Sequence, residues 1–170
     1  MTAKITKKTT KNRKSLFAYK LILFFFGFTI SVAAAPFVDN SDGTITDIGN
    51  ALIWQKCTNN LSGATCATGG TNQLTWANAL TYCNGLVLAG KTWRLPNVTE
   101  LRSIVDHSSG TAPVINTAIF PGTVSQYYWT SSTYKLATSQ AWAINFQSGF
   151  TAGTSSKSTT YYVRCVTSPP

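Results

Sequence analysis

The stretch KTWRLPNVTELRSIVDHSS, Lys91 to Ser109, decides the fold. Proline disfavours helical backbone at the residue before it, so Pro96 keeps Leu95 out of a helix. Asn97 can then cap a new helix, and Glu100 three residues on completes a capping box with Asn in place of Ser or Thr. Val98, Leu101, Ile104 and Val105 share one helical face, and the spacing predicts a helix that ends near His107. The same stretch holds Glu100, Asp106 and the chain's one histidine, which invites an active-site reading. Two carboxylates can perform glycosidase-type acid–base work. Residues six apart are not neighbours on one helix face, Glu100 already has a capping role, and His107 suits a helix C-terminus, where a cation is favoured. A serine triad built on His107 lacks its GxSxG turn. The stretch therefore reads as structure, with Arg94 suited to a buried ion pair with Glu100 or Asp106.

Before it, GTITD and ALIWQK are β-favouring runs joined by Gly49-Asn50, which predicts a hairpin. Residues 57–73 are rich in Gly, Ser, Thr and Asn and read as a loop. LTWANALTYCNGL then switches to helical spacing, with Thr75 as N-cap, Gly85 as the stop, and Trp76, Ala79, Leu80 and Cys83 on one face. Beyond the stretch, Trp142, Ile144 and Phe146 alternate in AWAINF, Ser148-Gly149 is a turn signal, and FTAGTSS is a candidate return strand. TYYVRCV alternates again, with Tyr161, Val163 and Cys165 on one face. Helices followed by antiparallel strands give a single α+β domain of two helices on a small antiparallel sheet.

The formal charge of +9 is misleading, because Lys4, Lys7, Lys8, Lys11, Arg13, Lys14 and Lys20 precede an apolar run, LILFFFGFTISV, and an Ala33-Ala34-Ala35 tripeptide. A basic region, a short apolar core and an A-x-A site describe a secretory signal peptide over residues 1–35. The apolar run, about 12 residues, is shorter than the roughly 20 that span a bilayer. The domain expected over residues 36–170 has a surplus of only two bases: Lys56, Lys91, Arg94, Arg102, Lys135, Lys157 and Arg164 against Asp39, Asp42, Asp47, Glu100 and Asp106. That argues against nucleic acid as a partner, and it leaves the membrane as a partner only through a leader that is kept. The expected place is the periplasm, the cell surface or the medium.

All four cysteines, Cys57, Cys66, Cys83 and Cys165, follow the leader. An even count in an oxidising compartment predicts two disulfides, with three possible pairings. A local Cys57–Cys66 bridge is easy to close and leaves Cys83–Cys165, which closes a loop of about 80 residues worth roughly 4–5 kcal/mol on the chain-entropy model. No CxxC pair occurs, and one histidine cannot build a His-rich zinc site. No cofactor and no metal are expected. Asp39, Asp42 and Asp47 do not match the spacing of an EF-hand calcium loop; an Asp-Gly turn feeding a hairpin is the simpler reading.

Of the five tryptophans, Trp54, Trp76, Trp93, Trp129 and Trp142, periodic apolar faces predict core packing for four. Exposed Tyr and Trp faces bind sugars and anchor protein interfaces. Tyr127, Tyr128 and Tyr134 lie near a loop-rich segment and are the candidates for exposure, and Lys91, Arg94, Arg102, Lys135 and Lys157 are the candidates for an anion-binding patch, with Lys135 and Lys157 put beside the tyrosines. The loops after Ser108 are thus the expected place for function.

Taken in order, DGTITD…ALIWQK, LTWANALTYCNGLVLAGKTWRLPNVTELRSIVD, YYWTSST, AWAINFQSG and YYVRCV resemble the Lcl C-terminal domain family, named after a collagen-like adhesin. The likeness runs from about Asp39 to Val166. Its most specific parts are Trp93, Arg94, Leu95, Pro96, Asn97, Glu100 and Leu101, and the closing Val163-Arg164-Cys165. The resemblance implies a fold similar to C-type lectins and formylglycine-generating enzymes, in which a bridge from the first helix to the last strand supports Cys83–Cys165. It also implies an adhesin or surface-recognition module for glycans such as sulfated glycosaminoglycans, or for a host or envelope protein. The Glu-Pro-Asn and Trp-Asn-Asp motifs of calcium-dependent lectins are missing, as is any Gly-x-y stalk. A formylglycine-generating-type catalyst is the alternative, and it would require a reactive cysteine pair. The expected function is therefore non-catalytic binding.

Overall fold

In the computed structural model, which describes residues 36–169, the chain opens on three antiparallel strands: β1 (Phe37–Asp39), β2 (Thr44–Asp47) and β3 (Leu52–Gln55). The β2–β3 pairing runs from Thr44 opposite Gln55 to Asp47 opposite Leu52, around the expected Gly49-Asn50 turn. Buried Asp47 closes that turn: its carboxylate accepts from the Asn50 N–H at 3.1 Å and the Asn50 amide at 2.9 Å, and Trp54 Nε1 lies 3.4 Å away. The Cys57–Cys66 disulfide then ties a loop containing a two-residue hairpin, β4 (Leu61–Ser62) and β5 (Thr68–Gly69). The leader expected over residues 1–35 lies outside the described residues.

Helix α1 (Trp76–Asn84) starts at Thr75 and stops at Gly85, whose N–H caps the Thr81 carbonyl at 3.0 Å. Ala79 and Cys83 are its buried face, and Cys83 is bonded to Cys165, 82 residues on. Helix α2 (Val98–Ser103) carries both halves of the capping box: Glu100 N–H donates to Asn97 Oδ1 at 2.8 Å, and Asn97 N–H to Glu100 Oε2 at 2.7 Å. The helix ends at Ser103, short of the expected His107. The Val105 N–H already makes a tighter bond to Arg102, and the Asp106 N–H leaves the helix ladder for the Val114 carbonyl at 2.9 Å. Pairing with residues 113–115 wins over another helical turn.

The second sheet contains β6 (Tyr127–Thr133), β7 (Gln140–Asn145) and β8 (Thr151–Ser156), all antiparallel. The final strand β9 (Val166–Thr167) joins the first sheet in the order β1-β2-β3-β9. TYYVRCV is therefore not one strand. Tyr161 bridges Leu74, Tyr162 bridges Tyr128, and Val163 exchanges bonds with Asn59 before the chain reaches β9. The segment crosses from one sheet to the other, yet keeps its alternation: Tyr161, Val163 and Cys165 pack with α1, while Tyr162 and Val166 face the other way.

Period-two alternation divides the interior into two cores. Ile53, Trp129 and Ala143 point with α1, Cys83, Trp93 and Leu95 into one. Their chain neighbours Trp54, Tyr128 and Ile144 point with Leu101, Ile104, Phe120 and Phe146 into the other. At roughly 25 cal/mol per Å² of apolar surface, each large side chain here contributes about 2 kcal/mol. Trp54, Trp93 and Trp129 are buried, Trp76 packs against the α1 core, and Trp142 belongs to neither. The result is an α+β domain of two helices, antiparallel sheets and two disulfides. Those disulfides indicate an oxidising, extracytoplasmic setting. Among the described residues no helix is long and apolar enough to cross a membrane.

Candidate functional site

The predicted binding residues separate. Tyr128 is fully buried, which corrects the expectation of exposure. It sits on the core-facing register of β6, packs edge-on to Phe146, and its hydroxyl lies 2.7 Å from Thr58 Oγ1 and accepts from Val124 N–H at 2.9 Å. Tyr127, on the opposite face, is half-buried and stacked on Tyr161 at 5.0 Å. Tyr134 and Lys135 follow β6, whereas Lys157 lies against Thr133 and Trp76, and no direct contact joins the three among the described residues. Lys157 Nζ donates to Thr133 Oγ1 at 2.9 Å and sits 3.8 Å over the Trp76 ring. Thr133 directly precedes Tyr134, and Lys135 is exposed in the turn that follows.

Tyr134 leads to a residue the sequence did not single out. Its ring meets Trp142 edge-on, with centroids 5.6 Å apart. Trp142 lines a shallow pocket of about 300 Å³ with Val98, Thr99, Arg102 and Thr151. The indole lies against Gly153, where an added Cβ would fall 2.5 Å from Cζ3. A half-buried indole, a guanidinium and two hydroxyls thus surround one concavity. The signal was present in AWAINF: Ile144 and Phe146 fill the core, and Trp142 at the start of the same face runs past its edge.

The structural signature behaves as a clamp. Trp93 is buried, with its Nε1–H on the Leu88 carbonyl at 3.0 Å, and Pro96 and Asn97 lead into α2. Arg94 binds Glu100 through both guanidinium nitrogens at 2.7 Å, but its side chain is 43% exposed, so the expected burial is corrected while the pairing stands. Burial pushes the Glu100 carboxyl up; the Arg94 and Asn97 hydrogen bonds and the Arg94 charge outweigh it, and the net shift is downward. Asp39 pairs with Lys56 at 2.6 Å, and that hydrogen bond holds its carboxyl below the usual range. Asp42 is bonded to Thr44, and Asp47 to Asn50 and Trp54, so each aspartate of the first loop has a local structural partner.

The buried cation is Arg164. It is fully buried, donating to the Lys56 carbonyl at 2.6 Å and Thr123 Oγ1 at 2.7 Å and lying 4.8 Å from the Phe120 ring. It belongs to neither of the two ion pairs among the described residues. Burial pulls its pKa down to about 10, and burial likewise raises that of the adjacent Tyr128. A larger cleft, about 610 Å³, lies before Ser108 rather than after it, between the first hairpin, the Cys57–Cys66 loop and the chain leaving α1.

No curated protein matches the chain significantly. The family model described as the Lcl C-terminal domain matches residues 43–167, from the glycine before β2 through β9. By that match, the chain belongs to the Lcl C-terminal domain family.

Proposed function

We propose that this protein is an exported, non-catalytic binding module of C-type-lectin-like fold that recognises anionic glycans, sulfated glycosaminoglycans among them. The observation that carries the reading is the Trp142 shelf: an indole backed by Tyr134, with Arg102, Thr99 and Thr151 around it. A sugar ring offers apolar C–H faces to an indole, hydroxyls to threonine, and a sulfate or carboxylate to a guanidinium. Lys135, exposed directly after Tyr134 in the chain, adds basic character, while Lys56 and Arg94 are engaged by carboxylates. Both cysteine pairs are closed as disulfides, which supports binding over a catalyst that depends on a reactive cysteine pair.

Heparin chromatography and a glycan array test the reading. Retention should fall as salt screens the exposed charges, and Arg102→Gln and Trp142→Ala should each elute earlier than the parent protein. Retention no greater than that of the disulfide-reduced protein, or unchanged in both variants, would falsify it.

A further inference from the structure

The large cleft is remote in sequence from the shelf and owes nothing to it. Its polar lining includes Lys56, Asp39, Gln55 and Tyr82. Its aliphatic lining is Leu61, Leu86, Leu88 and Val87, the last 95% exposed. A volume of about 610 Å³ falls within the range of ligand sites.

Three features say what would fill it. The first is an unused donor. The Tyr82 hydroxyl accepts from Gln55 Nε2 at 3.1 Å and from Asn60 N–H at 3.2 Å. Its own proton has no acceptor among the described residues, so it can donate to a carbonyl in the cleft. The second is charge. Lys56 cancels Asp39, whereas Asp42 in the same lining has no partner but Thr44 among the described residues, which leaves the cleft one negative charge in a domain with a surplus of bases. The third is backbone shape. Four of the five non-glycine residues with positive φ among the described residues lie in the surrounding loops: Ser41 at 61°, Asn60 at 62°, Cys66 at 55° and Ala89 at 50°. Such conformations persist where surrounding structure enforces them, and they concentrate at binding sites.

We propose that this cleft is a second recognition site, for an extended peptide segment carrying a lysine or arginine beside aliphatic residues. The aliphatic side chains lie on Leu61, Leu86, Val87 and Leu88, a backbone carbonyl accepts from Tyr82, and the cationic side chain meets Asp42. A sulfated glycan fits poorly, since its anionic groups repel Asp42. The module would then hold a protein partner at the cleft, independently of whether the shelf binds glycan.

The test is an NMR titration of the oxidised protein with two blocked peptides, Ac-Gly-Leu-Lys-Leu-Gly-amide and its glutamate counterpart, and with a heparin hexasaccharide. The lysine peptide should move the backbone signals of Asp42, Asn60 and Val87, and the other two probes should not. Asp42→Asn keeps a side-chain acceptor for Thr44 but loses the charge, and should weaken the lysine peptide about tenfold; Val87→Ser, at an exposed position, should weaken it about threefold. Equal shifts from both peptides, shifts from neither, heparin in the cleft, or full affinity in Asp42→Asn would each overturn the proposal.

Discussion

Arg94 and Glu100 face each other as fork and carboxylate, Nη1 on Oε2 and Nη2 on Oε1, both at 2.7 Å, while the same Oε2 accepts the Asn97 N–H. One carboxylate therefore holds the Trp-Arg-Leu-Pro turn and the start of α2 together. Its pKa is lowered from the ordinary 4.5. A carboxyl with a depressed folded-state pKa adds stability that is present above its unfolded pKa and is lost as pH falls through the folded one. Below pH 4.5 the protein should lose stability faster than Glu100→Gln does. At neutral pH that variant should be less stable by about 1 kcal/mol, since it keeps a capping oxygen and loses the charge. Denaturant midpoints measured against pH check this; parallel curves for the two proteins would mean the ion pair does not contribute.

The sequence made this clamp legible because its parts are local: a proline, a cap and a carboxylate at fixed offsets report on backbone that they contact directly. The Gly49-Asn50 hairpin and α1 were legible for the same reason. Exposure was not. Tyr127, Tyr128 and Trp129 are consecutive, and which of them reaches solvent depends on register against β7 and on where Tyr161 and Tyr162 cross above the strand. That crossing is non-local, with Tyr162 bridging Tyr128. The cleft was hidden likewise, since its lining comes from three segments separated in sequence, 39–43, 55–64 and 82–88.

Arg164 shows how a buried charge is tolerated without a carboxylate. Three carbonyl or hydroxyl oxygens receive its guanidinium, at 2.6, 2.7 and 3.4 Å, yet its lowered pKa shows that burial still disfavours the charged form. Arg164→Ala should destabilise by about 3–5 kcal/mol, because it opens a cavity and takes the donor from the buried Lys56 carbonyl. Arg164→Met fills the space and removes the buried charge, so it should recover at least half of that loss. If methionine were as harmful as alanine in chemical unfolding, the hydrogen bonds would matter more than the volume.

The two disulfides should differ in strength in a predictable direction. Cys83–Cys165 spans 82 residues and Cys57–Cys66 spans 9. On the chain-entropy model the longer loop restricts the unfolded chain more, by about 2 kcal/mol. The Cys83→Ser/Cys165→Ser pair should therefore lower stability by about 4–5 kcal/mol and the Cys57→Ser/Cys66→Ser pair by about 2–3 kcal/mol. The first also detaches α1 from the crossing segment, so it should broaden the signals of Trp93 and Trp129, which share its core. Equal unfolding midpoints for the two variants would remove loop length as the cause.

Gly153 offers the sharpest separation between the shelf and the fold that carries it. A methyl group there would meet Trp142 Cζ3 at 2.5 Å and Cη2 at 2.6 Å, so Gly153→Ala must push the indole off the sheet. Trp142 belongs to neither core, and displacing it leaves the packing around Trp54 and Trp129 in place. Stability should fall by about 1–3 kcal/mol, the usual range for overpacking. The Trp142 indole N–H signal should move while those of Trp54 and Trp129 stay. Heparin retention should drop towards that of Trp142→Ala, although no charge has been removed. A shifted indole with retention intact would place any glycan binding elsewhere on the domain, whereas loss of retention without loss of the core signals ties it to the ring.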